Sequence, residues 1–169
     1  MATHVLIQTV TVGSGGAASI EFTSIPQTYT DLLIKASTRS LNSAVYHFAL
    51  ITFNGNTSGY SGRRLEGGGT SASSYTGSAT SVAVNFGVGA NATASVFGNA
   101  EVYIPNYTAS SNKSVSTDVV GENNATTAYQ ILNADLWSNS AAITSITITG
   151  DSGNFVQYSS VSLYGISNT

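Results

Sequence analysis

Groups able to carry acid–base, nucleophilic or metal chemistry are scarce in this chain of 169 residues. It holds two histidines (His4 and His47), eight Asp and Glu, and no cysteine. Gly150-Asp151-Ser152-Gly153 has the form of a protease serine-nucleophile segment. That chemistry would also need a histidine base, a buried carboxylate to orient it and donors for the oxyanion. Neither histidine has a sequence context that supplies those parts. The run reads better as a hairpin turn between strands at Ile143–Thr149 and Phe155–Leu163, with Asp and Gly where such turns want them.

Other chemistries fare no better. Gly67-Gly68-Gly69-Thr70 lacks the lysine and the following helix of a phosphate-binding loop. Two histidines without metal-ligand spacing, and no cysteine, do not make a zinc site. Asp151 with Asn154, or Asp118 with Glu122, offers oxygens to calcium without the dense Asp/Asn loop such sites use. Glycoside hydrolysis needs two suitably spaced carboxylates, and nothing in the sequence selects a pair among the eight acids. The expectation is a protein without catalytic residues, cofactor or metal.

Aromatic and basic side chains are the better contact candidates. The stretch Ser58–Thr80 is rich in Gly, Ser and Tyr and reads as a long polar loop, split at most by a short strand around Tyr60–Glu66. Loops of that length are commonly functional. Within it Tyr60, Arg63, Arg64 and Tyr75 are candidate partner contacts, although adjacent arginines are as readily a solvated pair. Trp137, at the end of a strand, is a fifth candidate, either as an interface anchor or as packing.

The elements that would position these groups are strands. Val82, Val84, Phe86 and Val88 alternate with smaller or polar residues, as do Val102 with Ile104, Ile146 with Ile148, Val161 with Leu163, and Ile20 with Phe22. Further strands are expected at Val5–Val12, Asp31–Ser40, Val45–Phe53, Ser114–Val120 and Tyr129–Trp137. Turn residues separate them at Gly13–Gly16, Ile25–Gln27, Asn54–Asn56, Glu122–Asn124 and Gly150–Gly153. No segment carries helical apolar spacing with caps. About ten strands suit an all-β, single-domain antiparallel β-sandwich over residues 1–169, jelly-roll-like in its winding.

Composition limits the partners. Charged residues are only 8% of the chain, the net charge is −3, and hydrophobic residues make up 41%. The acidic balance argues against a nucleic-acid partner, and no apolar run is long enough for a membrane-spanning helix. The N-terminus lacks the pattern of a signal peptide. Five N-x-S/T sequons, starting at Asn56, Asn91, Asn106, Asn112 and Asn124, are by-products of an Asn- and Thr-rich composition.

Several segments together carry a resemblance. They are Ile25-Pro26-Gln27-Thr28-Tyr29-Thr30-Asp31-Leu32, Phe53-Asn54-Gly55-Asn56, Glu101-Val102-Tyr103-Ile104-Pro105-Asn106-Tyr107, Glu122 to Tyr129, and the ending Val161-Ser162-Leu163-Tyr164-Gly165-Ile166. From about Thr9 to the C-terminus the chain resembles small virion structural proteins of tailed bacteriophages. The resemblance implies a capsid decoration (cement) protein, made in the host cytoplasm and bound to the outer capsid surface. Its partners would be the major capsid protein and copies of itself, with a trimer favoured. The alternative it implies is a tail-fibre or tail-tip module recognising a host surface glycan. It carries no catalytic residues over to this chain. The N-terminal strand would either stay in the sandwich or reach a neighbouring subunit by strand addition.

Overall fold

A computed structural model describes residues 3–121 and 128–167. Among them are twelve strands and no helix. In chain order these are β1 (Thr3–Thr11), β2 (Ser19–Phe22), β3 (Asp31–Arg39), β4 (Tyr46–Phe53), β5 (Tyr60–Gly68) and β6 (Ser71–Thr76). They continue with β7 (Val82–Val88), β8 (Gly98–Ile104), β9 (Lys113–Gly121), β10 (Tyr129–Trp137), β11 (Ile146–Gly150) and β12 (Ser160–Ser167). Every strand expected from alternation forms. The turn expected at Glu122–Asn124 lies outside the described residues.

Pairing joins all twelve strands into one network made of two runs. An antiparallel run of eight follows the order β1-β12-β3-β8-β9-β10-β5-β6, and a run of four follows β2-β11-β4-β7. The runs meet through a two-residue parallel contact, Thr38 opposite Gly87 and Arg39 opposite Val88. Alternation decides which side chains face inward. Leu32, Ile34, Ala100, Val102, Ile104, Val161 and Leu163 come from the first run, and Ile20, Phe22, Ile51, Phe53, Val82, Val84, Ile146 and Ile148 from the second. They share one buried cluster, so the two runs cover each other's apolar faces as a β-sandwich. The all-β sandwich expected from the sequence is therefore the fold; a jelly-roll winding is not established by this pairing.

Two expectations about connections are corrected. Within Ser58–Thr80 the short strand expected around Tyr60–Glu66 is present as β5, running on to Gly68, but the rest is not loop: β6 completes a hairpin closed at Gly68–Ser71 with Gly69 at a positive φ of 57°. Its alternation was hidden because the inward positions are Tyr60, Gly62, Arg64, Glu66 and Gly68 rather than aliphatics. Gly150–Gly153 is a turn, but not the turn of a hairpin. β11 pairs with β2 and β4, whereas β12 pairs with β1 and β3. The chain crosses there from one run to the other, and the bridges from Phe155 to Ala17 and Ser40 mark the crossing. A turn signal fixes the bend, not which strands it joins.

Close packing at the seam demands glycine. A Cβ on Gly87 would lie 2.3 Å from the Thr38 carbonyl oxygen, and one on Gly98 only 2.4 Å from the Gly87 Cα. Beside the seam Arg39 holds the 90–96 segment. Its Nη1 donates to the carbonyls of Thr93 (2.8 Å) and Val96 (3.0 Å), and its Nη2 to those of Ala90 (3.2 Å) and Ala92 (3.1 Å). Each added methyl at the seam must push backbone apart, and overpacking that cannot relax is destabilising. Gly87→Ala or Gly98→Ala is expected to cost about 3 kcal/mol or more. Gly13→Ala, where an added Cβ meets open space, should be near neutral. Urea unfolding midpoints of the three variants check this.

Candidate functional site

The β5–β6 hairpin and its neighbour β10 bring the five sequence candidates into one region but give them different tasks. Tyr60 is 6% exposed and Trp137 0%, so Tyr60 is a core side chain rather than a partner contact, and Trp137 takes the packing role of the two open to it. Their rings stack at 6.2 Å, and Phe53 packs 5.4 Å from Trp137. The Tyr60 hydroxyl accepts a hydrogen bond from the Phe53 backbone N–H at 2.9 Å and donates to the Asn56 carbonyl at 3.3 Å. Both residues end their strands in register with one another, which carries them under the sandwich rather than onto a loop tip.

The two arginines alternate across the sheet. Arg63 points outward, and its Nη1 donates to the carbonyl of Gly62 at 2.9 Å. Arg64 points inward. Its guanidinium lies 4.7 Å from the Phe48 ring centre and 4.3 Å from that of Tyr75, and its Nη2 is 3.3 Å from Glu66 Oε2. Tyr46 packs against Phe48 and Tyr129 in the same cluster. Arg64 is thus a clasp between hairpin and body, and Tyr75, 45% exposed, is held as its outer plate. Of the five candidates only Arg63 and Tyr75 offer surface to a partner.

Sequence reasoning missed the polar groups on the inward face of β10. Asn133 and Asp135 replace aliphatics there and are buried, Asp135 at 7% exposure. With Arg63, Arg64, Thr76, Gly77, Ser78 and Ala83 they line a small cavity of about 50 Å³. The Asn133 amide donates to the Ala83 carbonyl at 2.8 Å, while Asn133 Oδ1 and Asp135 Oδ2 meet no protein donor. Gly62 makes room for the carboxylate, since a Cβ there would sit 1.9 Å from Asp135 Oδ1. Desolvation pushes the Asp135 carboxyl up to about 7. The only signal in the sequence was polar residues on the core side of an otherwise alternating strand. The space is large enough for a water or two and smaller than a sugar ring.

The structure also selects one carboxylate pair. Glu101 on β8 and Asp118 on β9 stand directly opposite on the outer face of the eight-strand run, with Lys35 Nζ 3.4 Å from Glu101. A shallow groove of about 210 Å³ beside them is lined by Tyr103, Ser116, Thr117 and Leu132. Both acids are exposed to solvent. His47 is buried against Phe155, and burial pushes its pKa down, whereas Ser152 sits in an exposed turn. Lys113 is buried and spends its ammonium on the carbonyls of Ala109 and Ser111; burial lowers its pKa as well. Among the described residues no cluster of three or more His, Cys, Asp or Glu is placed to hold a metal ion.

Two measurements follow from this geometry. The folded Asp135 carboxyl titrates near 7 against an ordinary value of 3.8, so the folded protein binds its proton more tightly than the unfolded chain. That contribution is fully present below about pH 4 and is lost as pH rises through about 7. Asp135→Asn is expected to match the parent at pH 4 and to exceed its stability at pH 8 by about 1–3 kcal/mol, read from urea midpoints across pH. Separately, Arg64→Ala should cost about 1–2 kcal/mol and speed hydrogen exchange in β6, whereas Arg63→Ala should stay within about 0.5 kcal/mol.

No family model matches this chain, and no curated protein or solved structure matches it either.

Proposed function

We propose that this chain is a structural protein of a tailed-phage virion, acting as a capsid decoration (cement) protein on the outer head surface. The observation that carries the reading is a β-scaffold whose eight-strand run ends in two strands without charged residues, β1 and β6, each paired on one side among the described residues, with Val5, Leu6, Leu65 and Leu132 exposed on or near them. Such edges are templates for association with other chains, and soluble proteins usually guard them with charge, proline or bulges. Here β1 carries one bulge, at Ile7, and neither strand carries an Asp, Glu, Lys, Arg or Pro. The partners on this reading are the major capsid protein and further copies of the chain. Neutral hydrogen-bonding surface suits such contacts, because it depends little on salt and avoids the desolvation cost of ion pairs.

A second reading is supported by the groove beside Tyr103. An aromatic ring, the carboxylates of Glu101 and Asp118 and the hydroxyl of Ser116 around about 210 Å³ suit one sugar ring, as a tail module binding a host glycan would need. Quantitative mass spectrometry of purified virions against the major capsid protein separates the two. Hundreds of copies in fixed ratio to the shell are expected for a cement protein. A handful to a few dozen would overturn that reading and favour the tail. Heads that lack the protein should also lose genome at a lower temperature than complete ones.

A further inference from the structure

The assembly surface can be named more closely, an inference that deepens the structural-protein reading without depending on phage origin. The eight-strand run ends in β1 on one side and β6 on the other. Every residue of β6 is exposed, and seven of the nine in β1 are. Each neighbouring pair from β1 to β6 is antiparallel. With an even number of strands, β1 and β6 therefore run in opposite directions. A second copy laid beside the first in the same orientation would present its β1 antiparallel to β6, and the hydrogen-bonded ladder would continue unbroken.

The side chains agree with that register of faces. Cross-strand pairing places Leu6 opposite Tyr164, on the face that carries Lys35 and Thr9. The same face at the other end of the run carries Leu65, which pairs with Ser74 of β6 and with Leu132 of β10. Leu6 is 53% exposed and Leu65 60%. On that face β6 offers Ala72, Ser74 and Thr76, and a mostly apolar groove of about 310 Å³ runs along Leu65 and Leu132, with Ala72, Ser73, Glu66 and Gln130 also in its lining. A leucine on an added strand leans across a small neighbour into such a step, since diagonal positions are within reach of long side chains. Neither strand brings a charge that would repel the other.

We infer that β6 of one copy receives β1 of the next, Leu6 entering the groove at Leu65, in a head-to-tail contact that continues the sheet between subunits. Such a contact is heterologous. It closes into a ring when the rotation relating neighbouring subunits divides a full turn with no rise along its axis, and otherwise grows as a filament.

The absence of native cysteine makes the test direct. Sedimentation of the full chain up to about 100 µM should give a multiple of 17.3 kDa. Leu6→Lys and, separately, Ser74→Lys should each weaken association about tenfold or more while leaving the far-ultraviolet circular dichroism unchanged. Leu6→Cys should form disulfide dimers under oxidation only when mixed with Ala72→Cys or Ser74→Cys, not alone. A parent that stays monomeric overturns the inference. So does cross-linking of Leu6→Cys with itself, which would mean a two-fold β1–β1 contact, or an oligomer giving no mixed cross-link. Hundreds of copies per virion from a protein monomeric in solution would leave the cement reading standing while removing this interface.

Discussion

The architecture depends on a two-residue contact. At Thr38–Gly87 and Arg39–Val88 the strand β3, already committed to β12 and β8, takes a third partner in β7. A strand has two edges, so a third partner is accommodated only by exchange near its end, where two backbones approach without side chains between them. Gly87 and Gly98 provide that approach. Arg39 then fixes the 90–96 segment with four hydrogen bonds to carbonyls, each charge-assisted and so stronger than a neutral pair. From this corner the four-strand run turns over the eight-strand run, and the common apolar core follows.

Several buried and half-buried polar groups act as ties. Asp31 accepts from the Tyr103 hydroxyl and the Asn106 N–H, both at 2.9 Å. Asn54 Oδ1 accepts from the backbone N–H groups of Thr144 and Ser145, while its amide donates to the Ala142 carbonyl, binding a turn after β4 to the segment before β11. Lys113 caps carbonyls ahead of β9. Asp135 is different: a carboxyl seated in space opened by Gly62, with one oxygen meeting no protein donor. A group like this is more stable neutral, which couples the β5–β10 seam to pH.

The outside of the molecule divides accordingly. Exposed ion pairs such as Lys35–Glu101 contribute little to stability. Exposed Val5 and Leu6 lie on β1 and exposed Leu65 and Tyr75 on β5 and β6, at the two ends of the eight-strand run, where β1 and β6 each pair with a strand on one side among the described residues. On the reading proposed above, a second chain would cover those side chains and pair with those strands.

Alternation in the sequence determined the class of fold and ten of the strands, because a half-buried strand must repeat every second residue. It marked β5 only as a short strand around Tyr60–Glu66 and did not reveal β6. Their inward positions are Gly62, Arg64, Glu66 and Tyr75, and these become inward-facing only once Phe48, Tyr46 and Asp135 lie beneath them. For the same reason composition marked Tyr60 and Trp137 as aromatic contacts, yet a ring's type does not say which side of the sheet it takes; register with Phe53 placed both in the core. Glu101 and Asp118, seventeen positions apart, became neighbours only through the β8–β9 pairing. Local pattern fixes what depends on neighbours along the chain. Which strands pair, which arginine is clasped and which edges stay open are set by contacts between distant segments, and only the tertiary structure decided them.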